Sequence, residues 1–140
     1  MADNVRLICE ETPDYPALAL QLKNLAGQAY RGQATLMQLD TGYSEELLIP
    51  QSVFATLQLE RWYEPSQAIV QAKTITGQSI KMRAALAEVV IPQTALTYRV
   101  TVQTFAGNAR FLIGRAFLRR FKVVLDGPGG LTCLMQSADA

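Results

Sequence analysis

The chain has 140 residues, enough for one domain, and its 49% hydrophobic and 18% charged content supports a packed core and argues against general disorder. Thirteen basic against twelve acidic residues leave a net charge of +1, which removes the electrostatic motive for non-specific nucleic-acid binding. There is no histidine, so Ser-His-Asp and Cys-His catalysis and any histidine-ligated metal are excluded.

The start, Met1-Ala2-Asp3-Asn4, has no basic stretch of the kind that opens a secretory leader. No apolar run approaches the ~18 residues of a membrane helix, so a cytoplasmic protein without membrane contact is expected. Cys9 and Cys133 lie near opposite ends and form no C-x-x-C, so both are read as free thiols of a reducing compartment, with no disulfide framework and no zinc site. Leu18, Leu20 and Leu22 alternate with Ala19 and Gln21, the period of a strand with one buried face. Gly27 and Arg31-Gly32 mark turns, and a second strand, Ala34 to Leu39, runs into Asp40-Thr41-Gly42. Pro50 to Leu57 predicts a short helix that begins with proline in its first turn and buries Val53, Phe54 and Leu57. Trp62-Tyr63 is expected to pack under the adjoining loop. Ile80-Lys81-Met82-Arg83 starts an alternation that reaches Val89-Val90-Ile91, and Leu96 to Gln103 alternates apolar with polar throughout. Gly107-Asn108 is a turn signal, and Gly114 to Phe121 predicts a second short helix with Phe117, Leu118 and Phe121 on one face. The basic cluster Arg115, Arg119, Arg120 and Lys122 is read as its wet face. After Phe121 to Leu125, the run Asp126-Gly127-Pro128-Gly129-Gly130 is a turn. Six to eight short strands with one or two short helices make an all-β domain, closed or sandwiched.

Asp40, at the end of an alternating strand, is the candidate catalytic residue. Without histidine or metal, amide hydrolysis needs an acid and a base on opposite sides of the bond. Two carboxylates that share one proton do both jobs, because like charges about 3 Å apart cannot both ionise. Gly42 adopts backbone angles closed to other residues and lets main chain approach the carboxylate closely, and Thr41 brings a hydroxyl that can lock the loop.

A second segment, Leu112-Ile113-Gly114-Arg115, lies well downstream of Leu39-Asp40-Thr41-Gly42. Together the two segments resemble the retropepsin-like aspartic proteases, in which a hydrophobic-Asp-Thr/Ser-Gly motif is followed by two hydrophobic residues and a glycine that opens a short helix. The resemblance extends over roughly residues 30 to 126 and includes Glu46-Leu47-Leu48-Ile49-Pro50, which is similar to cellular and prokaryotic members. It implies a small closed β-barrel that is one lobe of an aspartic protease, completed by homodimerisation, with peptide or protein as substrate and no cofactor or metal. Asp40 would be the single catalytic carboxylate of each subunit, Thr41 would brace the two loops across the dimer, and Gly42 would admit substrate main chain. Leu112, Ile113 and Gly114 would pack behind the loop.

A hairpin around Lys73 to Ile80 is the expected flap, with Gly77 near its tip and Thr76 and Gly77 as candidate substrate contacts. Tyr43 stands where the family often has Ala or Ser; it lines the pocket as a substrate contact, restricts the pocket, or points into the core. Arg115 and Glu45 form the candidate structural ion pair, with Glu46 the alternative acid. Tyr43, together with Ala116 at a position where Asp or Asn is common and a flap with one glycine, motivates the alternative reading: a dimer that keeps the fold, has weak or no catalysis, and binds peptide or protein.

Overall fold

The computed structural model describes residues 4–63, 69–73, 77, 79–92, 94 and 96–137. Among the described residues ten strands occur in chain order: β1 (Asn4–Glu11), β2 (Ala17–Lys23), β3 (Thr35–Leu39), β4 (Leu47–Leu48), β5 (Ile69–Lys73), β6 (Ser79–Ile91), β7 (Leu96–Thr104), β8 (Leu112–Ile113), β9 (Lys122–Asp126) and β10 (Leu131–Ser137). Helix α1 (Gln51–Thr56) follows β4, a 3-10 turn (Leu59–Trp62) follows α1, and α2 (Arg115–Leu118) follows β8. The all-β expectation with short helices holds.

The larger sheet runs β2-β3-β8-β4-β7-β6-β5, and an extra pairing of β2 with β6 closes its first six strands into a barrel. The two-residue periodicity fills the interior: Leu18, Leu20 and Leu22 of β2 meet Val89 and Ile91 of β6 and Val100 and Val102 of β7 in one core, while the alternate residues face out. Each fully buried leucine contributes roughly 1.5–3 kcal/mol. α1 caps this core with Val53 and Phe54, followed by Leu57, as its sequence predicts; Pro50 occupies the N-cap. Trp62 and Tyr63 are half-buried against the same core. Leu96, by contrast, begins its strand largely exposed.

Polar residues inside the barrel wall are all bonded. Asn24 donates to Leu57 O (3.0 Å), and Asn108 Nδ2 and Thr104 Oγ1 both donate to Ile49 O (2.6 and 2.8 Å). Among the described residues no buried side-chain polar atom lacks a partner. No helix among them is long and apolar enough to cross a membrane.

Beyond the barrel, β6 continues into an antiparallel arm with β5, in register from Ile69–Arg83 to Lys73–Ser79. The antiparallel pairing expected around Lys73 to Ile80 is therefore present in its two described strands, and Gly77, between them, takes φ +85°, a conformation that favours glycine. Thr76 lies outside the described residues.

The chain ends form a second sheet, β1-β10-β9, laid on the barrel through Ile8, Val123 and Leu134. Here the structure corrects the expectation of free thiols. Cys9 and Cys133 stand opposite each other in the β1–β10 register and are joined as a disulfide. A separation of 124 residues carries no information about distance; the antiparallel pairing of the two ends brings the cysteines to one face. A reducing compartment therefore no longer follows from the two cysteines. Because the bridge closes nearly the whole chain into a loop, its loss raises the entropy of the unfolded state. Dithiothreitol, or the pair Cys9→Ser and Cys133→Ser, is expected to lower the unfolding free energy by about 2–5 kcal/mol in urea titrations. Superimposable curves for oxidised and reduced protein would contradict this.

Candidate active site

Asp40 follows β3 directly. β3 lies parallel to β8, with Leu39 opposite Ile113, and the Asp40 N–H donates to Ile113 O at 2.9 Å. The barrel wall thus fixes the aspartate's backbone at a strand end. The next three residues turn sharply: Gly42 N–H donates to Asp40 Oδ1 (2.9 Å) and Tyr43 N–H to Asp40 O (3.1 Å). A Cβ on Gly42 would sit 3.1 Å from Asp40 Oδ1, tight against the carboxylate it serves. Asp40 is half-buried, and Thr41 and Gly42 are exposed. Thr41 borders an open hollow of about 250 Å³ together with Arg115, Leu118 and Arg119. Among the described residues its hydroxyl has no partner within the chain.

The second motif lies directly behind the first. Leu112 and Ile113 are buried in β8, which also pairs antiparallel with β4. Gly114 then passes so close to the returning loop that a Cβ would lie 2.0 Å from Glu45 O and 2.7 Å from Tyr43 O. Its φ of −95° is ordinary, so the requirement for glycine is one of space. This closeness lets three successive amides find carbonyls: Gly114 N–H on Glu46 O (2.8 Å), Arg115 N–H on Tyr43 O (2.9 Å) and Ala116 N–H on Glu45 O (3.3 Å). The loop that carries Asp40 therefore supplies the acceptors that the first turn of α2 needs.

Tyr43 points inward. Its ring packs on the small cluster of Leu48, Met82 and Leu112, and its hydroxyl lies 2.6 Å from Gln103 Oε1 and 3.2 Å from Leu47 O. Of the three alternatives in the sequence, the structure takes the core, and Tyr43 is corrected from substrate contact to support. Burial first, then the carboxylates of Glu45 and Glu46, push its phenol well above the ordinary tyrosine range.

The expected ion pair is also corrected. Among the described residues Glu46 is paired with Arg120, and Arg115 and Glu45 do not pair. Glu46 Oε1 accepts the Thr101 N–H (2.9 Å), and Arg120 also donates to Arg99 O (2.8 Å). One carboxylate thus ties the loop after the Asp40 turn to β7 and to the residues that follow α2. Sequence reasoning did not assign Gln103, which is 4% exposed although it falls on the polar side of an alternating strand. Arg110, which donates to Gln38 Oε1 (3.1 Å) on β3, likewise had no signal.

Two outcomes follow for the site. Gly114→Ala forces backbone apart at three hydrogen bonds and is expected to cost more than about 2 kcal/mol in thermal or urea unfolding, the scale of a forced overpacking; a change under 0.5 kcal/mol would contradict the close approach. Tyr43→Phe leaves the buried Gln103 amide without its donor and is expected to cost about 1–3 kcal/mol at neutral pH. The folded chain holds the Tyr43 proton to higher pH than the unfolded chain does. The stabilisation is therefore complete below the unfolded tyrosine value of about 10 and falls above it, by up to about 1.4 kcal/mol per pH unit. The deficit of Tyr43→Phe should narrow as pH rises past 10; a deficit constant with pH would show that the phenol is not held protonated.

No protein-family model matches the chain. An uncharacterized protein of Archaeoglobus fulgidus is 27% identical over 113 residues, 79% of this chain and 86% of that one. Among solved structures, EIAV protease in complex with the inhibitor HBY-793 superimposes with a TM-score of 0.55 at 13% identity, over 80% of this chain and 94% of the protease. At that identity the likeness is one of architecture, and with the closed six-stranded barrel it gives the conclusion that the chain has a retropepsin-like fold.

Proposed function

We propose that the chain is an aspartic endopeptidase that acts as a homodimer. The observation that carries this reading is the setting of Asp40: a half-buried carboxylate at a strand end, backbone-anchored to Ile113 and bonded by Gly42 N–H, in a turn whose next residues are braced by Gly114 and α2. A single chain brings one such carboxylate. The exposed Thr41 and the hollow it shares with Leu118 leave a surface on which a second subunit would set its own turn, so that two Asp40 side chains meet on a two-fold axis.

In that pair one carboxylate takes a proton from water as its oxygen attacks the scissile carbonyl carbon. The other, protonated, hydrogen-bonds the carbonyl oxygen and passes its proton there. The tetrahedral diol then collapses: the first carboxyl gives the proton it took from water to the nitrogen, the C–N bond breaks to release the amine, and a diol hydroxyl returns its proton to the second carboxylate as the carbonyl side leaves as a carboxylic acid. The β5–β6 arm with Gly77 is the element that would cover the substrate. The likeness to a protease bound to an inhibitor supports the same reading.

The test is digestion of a diverse peptide library from about pH 4 to 7, with products read by mass spectrometry. Asp40→Asn keeps an acceptor for Gly42 N–H, so it is expected to fold and to lose more than about 1,000-fold in cleavage. Cleavage by both proteins would remove Asp40 from the chemistry. Cleavage by neither, with the parent dimeric, would leave a peptide-binding dimer as the reading.

A further inference from the structure

Arg110 takes no part in the chemistry above, yet it is held from two sides. The buried Asn108 brackets its backbone: Asn108 Oδ1 accepts the Arg110 N–H (3.2 Å), and Asn108 Nδ2 donates to Arg110 O (3.1 Å) as well as to Ile49 O (2.6 Å). Phe111, next in the chain, packs on Tyr30 with ring centroids 5.9 Å apart. The Arg110 side chain reaches across to β3, where its Nη2 donates to Gln38 Oε1 (3.1 Å). Fixing an arginine costs side-chain entropy, which an arginine that only solubilises a surface does not incur.

Gln38 sets that guanidinium beside the candidate site. Met37 and Leu39 of β3 pack in the barrel core, so by alternation Gln38 and Asp40 share the opposite face, about 7 Å apart along the chain. Gln38 is in register with Leu112 of β8, and Leu112 packs with Ile80 and Met82 of the β5–β6 arm. One face thus runs from Asp40 past Gln38 and Leu112 to the root of the arm that would cover substrate. Leu112, Ile80 and Met82 make it apolar, and Arg110 brings a positive charge to its border. Among the described residues no carboxylate is paired with Arg110. A guanidinium carries five N–H donors in a planar fork, and the bond to Gln38 occupies one of them.

We infer that Arg110 is a specificity-determining residue: it selects peptides that carry a carboxylate, as Asp or Glu, at a residue flanking the scissile bond. The inference rests on the endopeptidase reading above and names its substrate class. Gln38 accepts from one edge of the fork and leaves the other for the peptide, where two parallel N–H···O bonds can hold a carboxylate. A two-fold axis supplies two such arginines, one for each side of the cut bond. Each also offsets the repulsion between a substrate carboxylate and the negative charge on the shared Asp40 pair.

The test offers the full chain peptides of diverse sequence with acetylated and amidated ends, which carry carboxylates on side chains alone, and reads the residues beside each cut by mass spectrometry. Asp or Glu is expected there at least about fivefold more often than Asn or Gln. Arg110→Met should erase that preference, chiefly through KM, and Arg110→Lys should keep part of it; Arg110→Glu should replace it with a preference for Lys or Arg. The same peptides are bound to Asp40→Asn, a readout that needs no chemistry. Acidic peptides should be retained over their amide counterparts by the same factor, and no longer so when Arg110→Met is added. Identical preferences with and without Arg110, in cleavage or in binding, overturn the inference. So does a preference that appears only with a free C-terminus, which would give the carboxylate to the chain end. Cleavage without acid preference sinks this inference alone. Acid-selective binding by Asp40→Asn, with no cleavage by the parent, sinks the protease reading alone. Neither cleavage nor selective binding sinks both.

Discussion

Tyr43 O, Glu45 O and Glu46 O accept hydrogen bonds from three consecutive amides, Arg115, Ala116 and Gly114, and they reach them only because residue 114 has no side chain. That contact joins the turn that carries Asp40 to the strand and helix behind it. β8 is two residues long, yet it pairs with β3 on one side and β4 on the other, so it holds both ends of the loop that carries Asp40. A short segment can do this because its side chains are buried and its amides have no competing solvent. The glycine and the aspartate are far apart in sequence and act as one structural unit.

Around that unit the supports are graded by burial. The inner ones, Tyr43 on Gln103 and the Leu48–Met82–Leu112 cluster, are in the barrel wall, where an unmade hydrogen bond is costly. The outer one, Glu46 with Arg120 and Thr101, is partly solvated, and its value lies more in placing the loop than in stability. The turn of Asp40, Thr41 and Gly42 is left at the surface with few contacts of its own. A rigid back and an open front suit the proposed pairing of this carboxylate with a second one from outside the chain.

Much of this was legible in the sequence where the signal is local. The alternation of Leu18, Leu20 and Leu22 gives a strand because period two is a property of neighbouring residues, and Val53, Phe54 and Leu57 give a helix face for the same reason. The two motifs around Asp40 and Gly114 were visible as a pair and meet in space. Relations set by tertiary pairing were not legible. The closure of β2 on β6, the Cys9–Cys133 bridge and the choice of Arg120 by Glu46 each depend on which distant strands become neighbours. Gln103 was hidden for a different reason: it reads as a solvent-facing residue, and only the inward phenol of Tyr43 explains its burial.

The central claim is that one site needs Asp40 from two chains, and subunit mixing tests it most directly. Parent and Asp40→Asn chains are combined in equal amounts, allowed to exchange, and assayed for peptide cleavage at fixed total chain concentration. A shared site predicts activity of about one quarter of the unmixed parent, since only parent–parent pairs are competent. Activity of about one half, the value for chains that act singly, would contradict the account.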